Sequence, residues 1–305
     1  MKKVLSSIKP YLRWVILGVT LFFLVKTLKD NWEQVLEIRI SDSGWVSLGV
    51  ALIVTIMAHV WSAVVWFGII KEFHQKVNLR WAIRVYLLTN IAKYLPGNIW
   101  HFYGRINATK QAGIPVETAI LSVLIEPLLM AASALGVALI GSTQESWFIQ
   151  FLCFLAVVSI LHPRVLNPVI KYLAKIKLKG KKSADIQPVT ELKLERYLVK
   201  PFLGEICFVL IRGFGFLLTI LAFNSVELNQ IFLIFSAFSL AWLLGLVVPG
   251  APGGVGVFEV TALTLLEHKF SPGILLSAIA FYRLISVLAE TFAAGLAWLE
   301  QKSQN

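Results

Sequence analysis

Long continuous runs of apolar residues, separated by short polar connections, dominate the chain. They extend over roughly 12–28, 44–70, 116–141, 147–161, 201–224, 231–248 and 274–299. A helix needs about 20 residues to cross a bilayer, so most of these runs are long enough to span, and 147–161 is short. The runs do not alternate with a period of two, which favours helices over strands. The sequence therefore predicts an all-α polytopic integral membrane protein with about six to eight transmembrane helices.

Two further stretches are apolar overall but contain helix-breaking residues. They are 81–105, which contains Pro96 and Gly97, and 249–268, which begins with PGAPGGVG. Proline removes a backbone donor and glycine weakens a helix. Backbone groups freed in this way are tolerated in a bilayer only against protein or a wet cavity. The sequence therefore predicts two broken or re-entrant segments that border a cavity near mid-bilayer depth.

The two broken stretches occur in the same context. Each is followed by a long apolar helix with a charged residue near its middle, and the intervals from Pro96 to Glu126 and from Pro252 to Arg283 are nearly equal. A broken helix at equivalent places of two halves points to a transport site in an inverted repeat. Chance similarity within an apolar chain is the alternative. The first interpretation predicts halves that insert with opposite orientation, as alternating access requires.

The composition excludes several classes of protein. Of the 305 residues, 57% are hydrophobic and 15% are charged, whereas soluble domains contain about 25% charged residues. An ordinary soluble enzyme, a disordered chain and a nucleic-acid-binding domain are therefore excluded, despite the net charge of +11. We expect one membrane domain over 1–305, with membrane lipids and no nucleic acid as partners. A homo-oligomer is left open as one state of assembly.

The basic residues indicate how the protein lies in the membrane. Residues 1–13 have four basic side chains and no acidic one, and 162–200 has ten basic and three acidic side chains. Lys and Arg accumulate in cytoplasmic loops, so we predict a cytoplasmic N-terminus, a cytoplasmic 162–200 loop and a bacterial-type cytoplasmic membrane. The first broken segment is then entered from the cytoplasm and the second from outside. If 231–248 crosses fully, the C-terminus lies outside; otherwise it returns inside.

Three charged residues, Glu126, Arg212 and Arg283, lie near the middle of apolar spans. A charge there costs about 2.5–3.5 kcal/mol on insertion scales, so each must be paired or face water. One interpretation is structural, with Glu126 paired to Arg283. The other is a lipid head-group site in which an arginine fork binds a phosphate, and Arg283 is the favoured ligand.

The candidate head-group and cavity site combines these charges with the residues of the two breaks. It comprises Pro96, Gly97, His101, Arg105, Glu126, Arg212, Pro252, Gly253, Gly254, Gly256, Glu259 and Arg283. The sequence contains no metal-ligand spacing, nucleophile motif or nucleotide-binding loop. We therefore expect no metal, cofactor or catalytic residue.

Two motifs resemble those of a known family. The segment 94–100, YLPGNIW, with Gly104 and Arg105 after it, resembles the YLPG-type segment of the flippase-like family, also called the lysylphosphatidylglycerol synthase transmembrane region. The segment 252–259, PGGVGVFE, resembles that family's PGGxGxxE motif, and Arg283 looks like its late arginine. The likeness covers nearly the whole chain in length and helix order.

The resemblance implies a membrane domain that moves lipids between leaflets. In the multiple peptide resistance factor, such a domain is fused to a soluble aminoacyl-transferase domain. This chain ends at Asn305, directly after its last span, so lysyl transfer is not expected from it. It also departs from the family at Glu126-Pro127, where an acid-arginine dipeptide is expected.

These observations lead to one expected function and two alternatives. We expect a translocator of an anionic or modified phospholipid, or of a lipid-linked intermediate. The first alternative is a membrane-embedded enzyme acting on a lipid head group, with His101, Glu126 or Glu259 as acid or base. The second is a membrane partner that does not transport.

Overall fold

The computed structural model describes most of the chain. It covers residues 39–95, 99–141, 144–168, 197–248 and 252–304, together with Lys26, Lys29, Glu33 and Leu194. Three predictions concern other residues, largely or wholly: the first span 12–28, the Pro96-Gly97 pair, and the basic segment 162–200. These lie outside the described residues and stay predictions.

The described residues are predominantly α-helical, and no strand occurs among them. The helices are α1 (Asp42–Glu72), α2 (Leu79–Asn90), α3 (Trp100–Gln111), α4 (Val116–Ala138), α5 (Gln144–Ile160), α6 (Val199–Leu221), α7 (Leu228–Val247), α8 (Val257–Leu266) and α9 (Pro272–Gln304). Five of them, α1, α4, α6, α7 and α9, are long and apolar enough to cross a membrane. The prediction of an all-α polytopic membrane protein is confirmed.

Side-chain caps explain where several helices begin. Ser41 precedes α1, and its hydroxyl accepts a hydrogen bond from the Gly44 amide at 3.1 Å. Asn78 precedes α2, and its side chain accepts from the Arg80 amide at 2.8 Å. Such caps satisfy amides that have no partner inside the helix. At α1 and α2, a polar residue of the preceding connection therefore defines the helix start.

α1 and α6 run antiparallel and form the centre of the bundle. The Ser47 hydroxyl near the start of α1 donates to the Leu218 carbonyl near the end of α6 at 2.7 Å. The Trp61 indole, further along α1, donates to the carbonyl of Gly204 at 2.8 Å. We call the two ends of the bundle the Asp42 end, where α1 begins and α6 ends, and the Glu72 end, where α1 ends and α6 begins.

The first broken stretch is a hairpin that enters from the Glu72 end. α2 continues into a 3₁₀ turn, Ile91–Tyr94, and α3 leads back. Ile114, which follows α3, shares one apolar cluster with Ala82 of α2 and Ile70 of α1. The chain therefore leaves and returns at the same end, as a re-entrant segment does.

The second broken stretch is a hairpin that enters from the opposite, Asp42 end. α7 stops at Val247, a 3₁₀ turn covers Pro252–Gly254, and α8 leads back. Leu266, at the end of α8, packs with Ile220 of α6 and Ile234 of α7. Opposite entry of the two hairpins is the arrangement that the repeat predicts.

The last helix then runs the length of the bundle. Phe281 of α9 meets Trp45 at the Asp42 end, with ring centroids 6.3 Å apart. Ala297 of α9 packs with Ile70 near the Glu72 end. Because α8 turns back after α7 and α9 then runs from the Asp42 end, the C-terminal part of α9 lies at the Glu72 end of the bundle.

Candidate functional site

The two breaks meet inside the bundle. A Cβ placed on Gly253 would lie 2.9 Å from the Tyr94 ring, so the second break touches the end of the first hairpin. Gly254 adopts φ +73°, and a Cβ there would lie 3.0 Å from the Cα of Gly245 on α7. Left-handed backbone in such close contact requires glycine. The PGG sequence is therefore the element that lets the two hairpins approach.

A cavity of about 420 Å³ lies beside this meeting point. Its charged and histidine side chains come from the first hairpin and from four long helices: His59, Lys93, His101, Arg105, Glu126, Arg212, Arg283 and Glu290. Its apolar wall comes mainly from α4, α6 and α7: Leu124, Pro127, Leu128, Met130, Ala131, Phe208, Trp242, Leu246 and Val247. Charged and apolar walls therefore line one space within a membrane protein.

Glu126 pairs with Arg105 across the cavity wall. A nitrogen of the Arg105 guanidinium donates to Glu126 Oε2, and the Tyr86 hydroxyl donates to Glu126 Oε1 at 2.7 Å. Tyr86 is in turn 2.7 Å from the Ser62 hydroxyl on α1. Arg105 is 2% exposed and its guanidinium carbon lies 4.3 Å from the centre of the Tyr86 ring. This buried network connects the first hairpin to α4 and α1.

Arg283 holds the second break together. Its Nε donates to Glu259 Oε1 at 2.5 Å, and its Nη1 and Nη2 donate to the carbonyls of Gly253 and Gly254 at 2.9 and 2.8 Å. The other Glu259 oxygen accepts the Gly256 amide at 2.6 Å. The structural pair of Glu126 with Arg283 is therefore wrong, because Glu126 pairs with Arg105 of the first hairpin and Arg283 pairs with Glu259 of the second.

Replacing Arg283 by lysine is expected to lower the melting temperature of the purified protein in detergent. An ammonium is a compact point donor and cannot reproduce a fork that bonds one carboxylate and two carbonyls. A buried carbonyl left without a partner costs about 1–3 kcal/mol. Arg80→Lys, on the exposed start of α2, is the matched control. An unchanged melting temperature for Arg283→Lys would show that the fork is not needed at the break.

A third group of charged residues connects the first hairpin to α1 and α9. Lys93 Nζ lies 2.5 Å from Glu290 Oε1, and His59 Nε2 lies 3.2 Å from the same oxygen. Glu290 lies seven residues after Arg283, which places the two on one face of α9. This spacing could have identified Glu290 as a site residue from the sequence. His59 lies in a continuous apolar run, and nothing in the sequence indicates that it belongs to the site.

Arg212 is held without a carboxylate among the described residues. Its Nη2 donates to the Ser286 hydroxyl at 3.1 Å, and its guanidinium carbon lies 5.0 Å from the centre of the Tyr282 ring. The side chain is buried, and Nε and Nη1 have no hydrogen-bond partner in the part of the chain that the structure describes. Glu205, on the same helix, is fully buried behind the cavity wall, and its oxygens also lack a described partner.

The cavity reaches the outer surface of the bundle between α4 and α7. These helices pack antiparallel: the Ser236 hydroxyl donates to the Ala138 carbonyl at 2.6 Å, and Gly141, three residues further on, lies against the carbonyl of Phe232, four residues earlier. Following this register toward the cavity brings Val247 level with the segment 126–128. Leu124 and Val247 line the cavity, yet they are 51% and 60% exposed. The apolar wall is therefore continuous with the outer surface.

The structure brings most of the predicted site residues to this one place. Those lining the cavity are His101, Arg105, Glu126, Arg212, Gly253, Gly254 and Arg283. Gly256 and Glu259 stabilise the second break from behind Arg283, and Pro252 begins its 3₁₀ turn. Pro96 and Gly97 lie outside the described residues. The cavity is also lined by five residues that were not among the predicted site residues: His59, Tyr86, Lys93, Ser286 and Glu290.

Comparison with known proteins identifies the family. Curated protein sequences gave no significant match. The model of one protein family, the lysylphosphatidylglycerol synthase TM region, matches residues 12–294. The match includes both broken hairpins and every helix that lines the cavity. The chain is therefore an integral membrane protein that belongs to the lysylphosphatidylglycerol synthase transmembrane-region family.

Proposed function

We propose that this protein translocates a lipid between the leaflets of a bacterial-type cytoplasmic membrane. Its substrate is an anionic or modified phospholipid or a lipid-linked intermediate, and the protein leaves the lipid chemically unchanged. The observation that supports this proposal most strongly is the cavity with one charged and one apolar wall, open between α4 and α7. A lipid has the same division, with a polar head group and apolar chains.

The arrangement of the two hairpins is suited to a conformational change that moves a lipid. They enter from opposite ends and touch at Tyr94 and Gly253. A site between two such elements opens to one side or the other when one of them shifts against its partner. The cavity at their contact is therefore suited to alternating access.

Two of the three acid and base candidates, Glu126 and Glu259, support transport rather than head-group chemistry. Glu126 is occupied by Arg105 and Tyr86, and Glu259 by Arg283 and the Gly256 amide. A general acid or base must reach a proton on the substrate. Glu126 and Glu259 have instead the geometry of groups that hold helices and breaks in place.

The connections support a cytoplasmic Glu72 end. The segment 71–84, which links α1 to the first hairpin there, has four basic residues and one acidic residue. The connections 222–227 and 267–271 at the Asp42 end have one basic residue between them, Lys269. Lys and Arg accumulate on the cytoplasmic side. If the predicted span 12–28 crosses once, this orientation agrees with the cytoplasmic N-terminus that the sequence predicts.

A reversible cross-link across the α4–α7 opening tests the proposal. Leu124→Cys and Val247→Cys are introduced with Cys153→Ala and Cys207→Ala, and the protein is reconstituted in liposomes with fluorescent phospholipid. Quenching of outer-leaflet fluorescence by dithionite follows lipid movement. A reducible thiol cross-linker is expected to stop the movement of phospholipid, because the acyl chains leave the cavity through this opening. Reduction of the cross-linker is expected to restore the movement.

Two controls accompany the cross-link. Each single-cysteine variant, treated with the same reagent, should move lipid at the untreated rate. Mass spectrometry of the liposome lipids should show the same species before and after. Unimpeded lipid movement by the fully cross-linked protein would refute the lateral opening, and a new lipid species would favour the enzyme.

A further inference from the structure

The charges around the cavity do not cancel. Three cations each have their own carboxylate: Lys93 with Glu290, Arg105 with Glu126, and Arg283 with Glu259. Arg212 is the fourth cation, and no described carboxylate contacts it. The groups that line the cavity, with the Glu259 that holds Arg283, therefore leave one positive charge uncompensated. Glu205 has no described hydrogen-bond partner and does not line the cavity, so it is paired with none of these four cations.

The position of this surplus charge is fixed. Arg212 is 6% exposed, and Ser286 and the face of Tyr282 hold its guanidinium from α9. Two of its donors, Nε and Nη1, have no partner among the described residues. Nε and Nη1 lie on opposite edges of the planar guanidinium, so each can donate a separate hydrogen bond to an anion with several acceptor oxygens, such as a phosphate.

A free acceptor lies close to these donors. Glu290 is one helical turn after Ser286, and its Oε2 has no hydrogen-bond partner in the described structure. The carboxylate already compensates Lys93 at 2.5 Å and has His59 at 3.2 Å. A hydroxyl can donate to Oε2 without adding a charge, whereas a second ammonium would face Lys93 as a like charge.

Resting on the translocator function proposed above, we infer that the cavity selects a lipid with a single-charged phosphodiester and a hydroxyl-bearing head group, and disfavours a cationic head group. The phosphodiester binds the free donors of Arg212, and a head-group hydroxyl donates to Glu290. Phosphatidylglycerol has this chemistry. Its lysyl ester, after which the family is named, adds two ammonium groups and becomes a net cation.

The physical reason for the preference is the charge already present. A phosphodiester compensates the surplus at Arg212. A lysyl ester brings two ammonium groups into a space where each carboxylate that lines the cavity has its own cation. Repulsion between like charges is strong where water is excluded. The cavity therefore separates the two lipids by charge rather than by size.

The test compares these two lipids in one preparation. Liposomes of phosphatidylcholine, with the wild-type protein, contain either acyl-labelled phosphatidylglycerol or its acyl-labelled lysyl ester. Dithionite quenching should show phosphatidylglycerol moving at least about tenfold faster than the lysyl ester. Unfavourable contacts between like charges raise the free energy enough to give a rate ratio of this size. Equal rates, or faster movement of the lysyl ester, would overturn the inference and leave the translocator function standing.

Variants at Arg212 separate charge from structure. Arg212→Gln removes the surplus charge and should bring the two rates within about threefold of each other, an estimate from the loss of one charge contact. Arg212→Lys keeps the charge but not the fork, so it should slow phosphatidylglycerol and still reject the lysyl ester. Arg80→Gln on the exposed start of α2 should leave both rates unchanged. An Arg212→Gln protein that keeps the wild-type ratio would contradict the role of Arg212.

A binding measurement tests the head-group preference separately from the translocator function on which it rests. If neither lipid moves faster than in protein-free liposomes, translocation is refuted. Native mass spectrometry of the same protein with the two lipids at equal concentration then decides the head-group preference alone. Retention of phosphatidylglycerol over the lysyl ester would support the charge assignment, and the opposite order would overturn it.

Discussion

Arg105→Gln is expected to destabilise the protein by about 3–5 kcal/mol, because it leaves Glu126 as a buried charge without its cation. Glu126 is fully enclosed, Lys93 and Arg283 are paired with Glu290 and Glu259, and the described contacts of Arg212 are with Ser286 and Tyr282 rather than Glu126. The Tyr86 hydroxyl bond to Glu126 remains, but one neutral donor does not replace an ion pair. The melting temperature in detergent, monitored by tryptophan fluorescence, should be lower than that of the wild type.

The double variant Arg105→Gln with Glu126→Gln should recover most of this loss. Two amides can hydrogen-bond to each other, and neither has a charge to bury. Arg80→Gln, on the exposed start of α2, removes the same charge at the surface and should leave the melting temperature unchanged. If Arg105→Gln melts as the wild type does, Glu126 has no energetic dependence on Arg105 and the network described above is not what holds the first hairpin.

Gly254→Leu is expected to abolish lipid movement while the protein is still expressed. Gly254 has φ +73°, and a Cβ would lie 3.0 Å from the Cα of Gly245 and 3.1 Å from its carbonyl oxygen. The left-handed backbone alone costs a side-chain-bearing residue about 1–2 kcal/mol. The larger effect is geometric, because leucine would separate α7 from the break and displace the carbonyls that Arg283 binds.

Gly49→Leu is the matched control for this change. Gly49 lies on the exposed face of α1, and a Cβ there meets nothing within 4 Å. It should therefore retain wild-type movement of fluorescent phospholipid in liposomes. Full activity of Gly254→Leu would mean that close contact between α7 and the second break is not required, and would remove the structural basis for the cavity.

The helices and the breaks could be predicted because they depend on local sequence. An apolar run of about 20 residues has few options in a bilayer other than a spanning helix. The run 44–70 lies within α1, and 116–141 matches α4 with the 3₁₀ turn that follows it. Opposite entry of the two hairpins could also be predicted, from the charge of the connections and the spacing of the repeat.

The pairing of charges could not be predicted in the same way. Glu126 meets Arg105 rather than Arg283 because α3 returns alongside α4, a contact that no local pattern reports. Arg283 binds Glu259 and the backbone of the break that precedes it. His59 is a single polar residue in an apolar helix, and only the packing of α1 against α9 shows that it faces Glu290.

The most direct test of the central claim measures lipid sidedness and lipid mass together. Wild-type protein, Gly254→Leu and Gly49→Leu are reconstituted in liposomes with fluorescent phospholipid, and dithionite quenching and mass spectrometry are recorded on the same samples. We predict that wild type and Gly49→Leu expose inner-leaflet lipid to dithionite, that Gly254→Leu does not, and that the lipid masses stay constant. Quenching by the wild type that equals protein-free liposomes, or a change in lipid mass, would contradict the account.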